Sequence, residues 1–174
     1  QSAIQSANQV YADFKTSNDS LSTGRLAYIA EERSKIFALN AVEDSTLETF
    51  RVLWHSEMEN LLVLDSLRQS GDTTVSALQH DTAVWQSLVA HEQFTLYLDT
   101  LAMSRRAKIQ ALLTQNAAIS VSHTPAVNHK TVNTIVFYFL LNDSLQTGDL
   151  ATLESIAETC PLEGGDAVYE ARAI

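Results

Sequence analysis

Helix-breaking residues are rare in this chain of 174 residues, which contains five glycines and two prolines. Neither type occurs from Arg25 to Ser70 or from Asp72 to Thr124. Glycine destabilises a helix because it loses the most backbone entropy, and proline because it lacks the N–H group and clashes with the preceding turn. Since apolar residues recur at steps of three and four in both stretches, the sequence predicts long helices there.

Composition excludes several classes of protein. Hydrophobic residues make up 45% of the chain and aromatic residues 7%, which argues against disorder. No run approaches the roughly 18 consecutive apolar residues of a membrane span, so we predict no membrane insertion. The formal net charge is −10, and one basic cluster, Arg105, Arg106 and Lys108, is too small for the counterion release that drives nucleic-acid binding. We therefore expect an acidic, soluble, mostly helical protein that binds no nucleic acid.

The first apolar stripe predicts a helix from Ile4 to about Val42. Residues 16–24 are rich in Ser, Asn, Asp and Gly, whose side chains or flexibility compete with helical hydrogen bonding. The sequence leaves open whether the helix continues through this stretch or breaks there.

Capping signals place the next two helices. The sequence Ser-Thr-Leu-Glu at residues 45–48 is typical of a capping box and predicts a second helix to about Ser70. Gly71 is typical of the left-handed residue that ends a helix. Residues 72–74 then predict the cap of a third helix that reaches about Ala118.

The last third of the chain predicts shorter elements. Residues 119–127 alternate in polarity and contain Pro125, which predicts an extended connector. Three short helices are predicted to follow. The first starts at Asn128 or Thr131 and ends near Gly148, and the second is capped by Asp149 and stopped by Pro161. The last is capped by Asp166, after the turn at Gly164 and Gly165.

These elements predict an all-α fold. Long helices joined by short turns pack antiparallel, so we expect an elongated antiparallel helical hairpin or bundle over residues 1–118. The connector 119–127 would lead to a compact cap of three short C-terminal helices at 128–174, and the whole would form one structural domain. We expect Trp54 and Trp85 to be core residues or anchors between helices, since aromatic side chains bury a large apolar area.

Signatures of catalysis and metal binding are weak. The chain has no Gly-x-Ser-x-Gly elbow, no His-Glu-x-x-His and no Glu-x-x-His pair. His55 and Glu59 are four residues apart and could share a helix face with His91 opposite them, which makes these three the candidate metal ligands. We predict no enzyme activity, no catalytic residue and no cofactor.

A distinctive wording occupies the C-terminal quarter of the chain. Residues 130–135 read Lys-Thr-Val-Asn-Thr-Ile, and residues 153–173 read LESIAETCPLEGGDAVYEARA. This wording resembles a segment of large bacterial surface and secreted proteins exported by the type IX secretion route. The resemblance implies an extracellular or cell-surface location and further domains in the same polypeptide, and it implies no catalytic residue. The residues that we single out as a structural motif are Cys160, Pro161, Gly164, Gly165, Tyr169 and Arg172.

Together these observations predict a non-enzymatic structural or interaction module, such as a stalk, spacer or binding domain, with a protein partner or self-association. The chain begins at Gln1 and ends at Ile174 within a helical pattern, which predicts a processed chain or a segment of a longer protein. Two alternatives remain, a small helical bundle that binds a metal or ligand, and a coiled-coil or filament subunit.

Overall fold

Every regular element that the structure describes is an α-helix. The structure is a computed structural model that describes Gln9, Ala12, Asp13, Ser17 and residues 21–174. Within this part of the chain there is no strand, which confirms the all-α fold class. Seven helices follow one another along residues 21–174: α1 Ser22–Ser34, α2 Ala41–Gln69, α3 Ala77–Ala117, α4 Thr124–Asn142, α5 Asp149–Ala157, α6 Pro161–Gly164 and α7 Ala167–Ala173.

Contacts divide the chain into two units. The hairpin unit is Ala38–Ser104, and the core unit combines the described part of Gln1–Phe37 with Arg105–Ile174. Helix α3 therefore contributes its first residues to the hairpin unit and its last residues to the core unit. Helix α1 packs against α4, so residues far apart in sequence come together in the core unit. The boundaries at 118 and 127 stay a prediction.

In the hairpin unit, α2 and α3 run antiparallel. His80 Nε2 lies 2.6 Å from Asp65 Oδ1, and the Ser87 hydroxyl donates to the sulfur of Met58. Further along, the Phe94 ring stacks on Trp54 with centroids 5.5 Å apart. Moving along α3 from His80 to Phe94, the contacted residue on α2 moves back from Asp65 to Trp54. The two helices therefore point in opposite directions.

The first residues of α2 and α3 correct two predicted caps. The capping box of α2 is Asn40 with Glu43, since the Asn40 side chain accepts from the Glu43 amide and the Glu43 carboxylate accepts from the Asn40 amide. Residues 45–48 lie inside the helix, so the box predicted there is wrong. At α3, Ser76 and Gln79 exchange the same pair of hydrogen bonds. Asp72 instead accepts from the Thr74 amide and shapes the turn.

Gly71 ends α2 as predicted. Its φ of +82° lies in the left-handed region. The Gly71 amide donates to the Arg68 carbonyl and the Asp72 amide to the Leu67 carbonyl, which is the Schellman arrangement.

The predicted extended connector is shorter than expected. Helix α4 begins at Thr124, so extended or irregular backbone is confined to residues 119–123. The reason is that Pro125 occupies the first turn of α4, where its missing N–H costs nothing and its fixed φ suits the helix. Helix α4 also ends earlier than predicted, at Asn142, with Asp143 in the left-handed conformation.

Part of the first predicted helix, within residues 4–20, lies outside the described residues. Within the described part, Leu21 has extended backbone and α1 begins at Ser22. Helix α1 ends at Ser34, so the extension to Val42 is wrong. Residues 35–40 instead form the turn that leads to Asn40.

Two apolar clusters hold the core unit together. One joins α1, the end of α3 and the face of α4 that carries Phe137; its other buried members are Leu26, Ile29, Ile36, Ile109, Leu112, Ile119 and Ala126. The second joins α4 to α5 and α7; its buried members are Val132, Ile135, Leu153, Ile156, Ala167, Val168 and Ala171. Helix α4 contributes to both clusters and is the central element of this unit.

Candidate functional site

The singled-out C-terminal residues lie where three short helices meet. Pro161 begins α6, directly after the exposed Cys160. Gly165 has a φ of +73°, and a Cβ at this position would lie 2.8 Å from Cβ of Pro125. At Gly164 a Cβ would overlap the side chain of Val168. Gly165 therefore allows the α6–α7 turn to approach α4 closely, and Gly164 leaves room for the side chain of Val168.

Arg172 joins α7 to the end of α5. Its Nε donates to the Ala157 carbonyl at 2.8 Å, and its guanidinium lies over the Tyr169 ring, 5.9 Å from the centroid. Cations are favourable at helix C-termini, where carbonyl groups lack intrahelical partners. Arg172 and Tyr169 thus connect α7 to α5 within the core unit, which is a structural role.

A polar network lies beside these residues in the core unit. Arg33 donates from Nη2 to Glu170 and from Nη1 to Asn133, each at 2.5 Å. Asn133 and Asn116 are fully buried, and Asn116 donates to the Lys130 carbonyl. Asn133 also donates to Asn116 at 3.5 Å, so side chains from α1, α3, α4 and α7 meet in one network.

Glu170 is the titratable group that this network perturbs most clearly. His129 Nε2 lies 3.5 Å from one carboxylate oxygen and Arg33 Nη2 lies 2.5 Å from the other. The His129 and Arg33 contacts lower the pKa of Glu170 from 4.5 to about 2, although partial burial opposes the change. A carboxylate with so low a pKa is a weak base, so it is poorly suited to general base catalysis near neutral pH.

A cavity of about 360 Å³ opens next to this network, within the core unit. His129 and Asp166 supply its titratable groups, and Thr23, Ala27, Pro125 and Gly165 contribute to its wall. Among the described residues, the His129 Nε2 atom lies 3.5 Å from the Glu170 carboxylate but is buried without a hydrogen-bond partner. With Asp166 as the other titratable group in its wall, the cavity offers too few converging polar groups to define a ligand site.

The candidate metal ligands do not form a cluster. The Trp54 ring lies 5.4 Å from the ring of His55 and 5.0 Å from that of His91, so an indole is packed against both imidazoles. Glu59 is exposed on α2. Among the described residues, no group of three or more His, Cys, Asp or Glu side chains is placed to hold a metal ion.

The basic cluster is engaged within the core unit. The Lys108 ammonium lies 3.0 Å from the Glu32 carboxylate, and Arg106 donates to the Leu141 carbonyl. The Arg105 guanidinium lies over the Phe37 ring. Each of the three cations therefore contacts another group of the core unit.

The hairpin unit presents large apolar side chains to solvent, which sequence reasoning missed. No residue of α2 is buried. Trp54 packs between the helices as predicted, but Trp85 is 66% exposed, so its predicted role as an anchor between α2 and α3 is wrong. The exposed large apolar residues of the hairpin unit are Val42, Val52, Leu53, Leu62, Val63, Leu67, Leu78, Trp85, Leu88, Leu96, Leu98 and Met103.

The reason is that α2 and α3 are apolar on more than one face. The face of α3 that packs on α2 carries His80, Ser87 and Phe94. Leu78 and Trp85 lie on the opposite side of the same helix, as the repeat of 3.6 residues per turn requires. The recurrence of apolar residues in the sequence reveals both faces of a helix, but it does not show which face packs against another helix.

Among the described residues, no helix is long and apolar enough to cross a bilayer. Comparisons with protein-family models, with curated proteins and with solved structures find no match to this chain.

Proposed function

We propose that this chain is a non-enzymatic interaction module whose hairpin unit binds an amphipathic helix of another protein. The observation that carries the proposal is the exposure of large apolar side chains along both helices of the hairpin. Contiguous exposed apolar surface is unfavourable in water and marks interaction sites in soluble proteins. An amphipathic helix is the natural occupant, because an exposed helix face offers ridges and grooves for another helix.

The polar chemistry of the core unit supports a non-enzymatic role. Its central carboxylate, Glu170, is held by Arg33 and is a weak base. The buried amides of Asn116 and Asn133 bind neighbouring side chains and backbone. These groups stabilise the packing of helices and leave little free chemistry for a reaction.

We further propose an extracellular or cell-surface location and a longer host polypeptide. The support for both is the resemblance of the C-terminal quarter to proteins of the type IX route. That the short helices form a cap on an elongated hairpin likewise stays a prediction.

A binding experiment tests the proposed function. A designed helical peptide with an apolar stripe and an uncharged rim, labelled with a fluorophore, is titrated with the full chain and followed by anisotropy. We expect binding that weakens at least about tenfold in the double variant Leu96→Ser, Met103→Ser, because each change removes apolar contact area.

The matched control is the double variant Leu150→Ser, Leu162→Ser, which removes two exposed leucines from the core unit. We expect it to bind the peptide like the unaltered chain, and circular dichroism checks that both variants remain helical. If no peptide with an apolar stripe binds, whatever its rim, the proposed function is wrong.

A further inference from the structure

We infer that the helix bound by the hairpin unit is basic, and that it lies along one outward line of α3 bordered by acidic side chains. The inference rests on the proposed function and names the chemistry of the partner.

The line consists of four apolar side chains spaced by whole turns of α3. Leu78, Trp85, Leu96 and Met103 are 76%, 66%, 57% and 73% exposed. Trp85, Leu96 and Met103 follow Leu78 by 7, 18 and 25 residues. At 100° per residue these spacings rotate each side chain by no more than about 20° from the direction of Leu78, so the four lie on one line. At 1.5 Å per residue the line is about 38 Å long, enough for several turns of a second helix.

Three carboxylates border this line on the same side. Asp81, Glu92 and Asp99 follow Leu78 by 3, 14 and 21 residues, which places each of them about 40–60° from Leu78 around the helix, all in one direction. All three are exposed. From Ala77 to Ser104 the chain has no Lys or Arg, so this stretch of α3 supplies no cation to neutralise them. Asp81 also lies 3.6 Å from the ring of His80, the nearest basic side chain on α3.

The charge of the whole hairpin unit favours the same partner. Ala38–Ser104 contains ten acidic residues and two arginines, a net charge of −8. Arg51 is already paired with Glu48 at 2.7 Å. A second copy of this unit would bring like charges together, whereas Lys and Arg beside an apolar stripe would complement them. Charge complementarity therefore selects a basic amphipathic helix over a second copy of the chain.

The test uses peptides that share one apolar stripe and differ only in the rim, which is Lys in one, Glu in another and Gln in the third. We expect the Lys-rim peptide to bind at least about tenfold more tightly than the Glu-rim peptide at low ionic strength, and the preference to shrink as salt is added. A Lys-rim peptide with serines in place of the stripe should bind weakly, because the stripe supplies the apolar contact.

Two matched triple variants locate the effect. Asp81→Asn, Glu92→Gln, Asp99→Asn removes the rim of α3 and should abolish the preference for the Lys rim. Glu154→Gln, Glu158→Gln, Glu163→Gln removes the same number of charges from exposed positions in the core unit and should leave the preference unchanged.

The outcomes separate this inference from the proposed function. Equal affinity for the three rims, or an equal effect of the two triple variants, would overturn the basic partner and leave the interaction module standing. Sedimentation velocity that shows self-association, lost in the Leu96→Ser, Met103→Ser variant, would identify a second copy as the occupant and also overturn the inference. No binding by any peptide with an apolar stripe would contradict both proposals.

Discussion

Glu170 shows how one side chain in this protein acquires its properties from distant residues. Its carboxylate on α7 contacts Arg33 on α1 and approaches His129 on α4. Its neighbours Tyr169 and Arg172 belong to the structural motif that the sequence predicts, but Glu170 does not. Arg33 is 137 residues away, and no spacing rule connects positions so far apart. The pairing could therefore be recognised only once the helices were placed.

The lowered pKa of Glu170 makes part of the stability depend on pH. Its folded-state pKa of about 2 lies below the ordinary value of 4.5, so the contribution is fully present above about pH 4.5 and is lost as pH falls toward 2. We expect Glu170→Gln to lower the free energy of unfolding at pH 7 by on the order of 2 kcal/mol, allowing for the partial exposure of the side chain. Urea denaturation followed by circular dichroism from pH 7 to pH 2 measures the difference.

The difference in the free energy of unfolding between the unaltered chain and Glu170→Gln should become smaller as the pH falls from about 4.5 toward 2. Glu154→Gln, at an exposed carboxylate on α5, serves as the control and should change the stability little. A difference for Glu170→Gln that stays constant between pH 7 and pH 2 would show that the carboxylate is not held as the structure indicates.

At the scale of helices, glycine and capping residues explain most boundaries. Gly71 was identified from sequence alone, because a left-handed residue after a helix depends on local sterics. The sequence alone does not distinguish the capping box at Asn40 from the one predicted at residues 45–48, since both segments carry a suitable cap residue and a Glu three positions later. Turn formation at residues 35–40 decided between them. Local signals thus predicted that α2 exists and where it ends, but not where it begins.

Two glycines with positive φ should respond differently to alanine. Gly71→Ala places a Cβ in open space, so we expect a loss of about 1 kcal/mol from the left-handed backbone alone. Gly165→Ala adds an overlap with Pro125, and its φ of +73° and ψ of −167° belong to a region that is essentially restricted to glycine. We expect Gly165→Ala to cost more than Gly71→Ala in the free energy of unfolding, measured by urea denaturation. Equal losses would count against the close approach of Gly165 to Pro125.

At the scale of the molecule, burial is distributed unevenly between the two units. Helix α2 buries no residue, whereas α4 buries Ala126, Val132, Asn133, Ile135 and Phe137. Burial of apolar surface is the main source of stability, so α4 is stabilised by it more than α2 is. The sequence did not reveal this contrast, because α2 and α4 are both amply apolar.

Hydrogen–deuterium exchange should follow this contrast. Regions with few buried apolar contacts open at lower free energy, so we expect the central amides of α2 to exchange faster than those of α4 under native conditions. Mass spectrometry of peptides from both helices provides the measurement. Addition of the Lys-rim peptide should slow exchange in the hairpin unit and leave α4 unchanged. Equal protection of α2 and α4 in the free protein would contradict the expectation.

The sequence by itself determined that this protein is helical and where several helices end. Those properties depend on interactions within a few residues, such as the left-handed turn at Gly71 and the scarcity of glycine and proline. Only the tertiary structure decided which apolar faces are covered, that α1 packs on α4, and that Arg33 and His129 hold Glu170. These contacts join residues as far apart as Arg33 and Glu170, separated by 137 positions, and their energies depend on placement in space rather than on spacing along the chain.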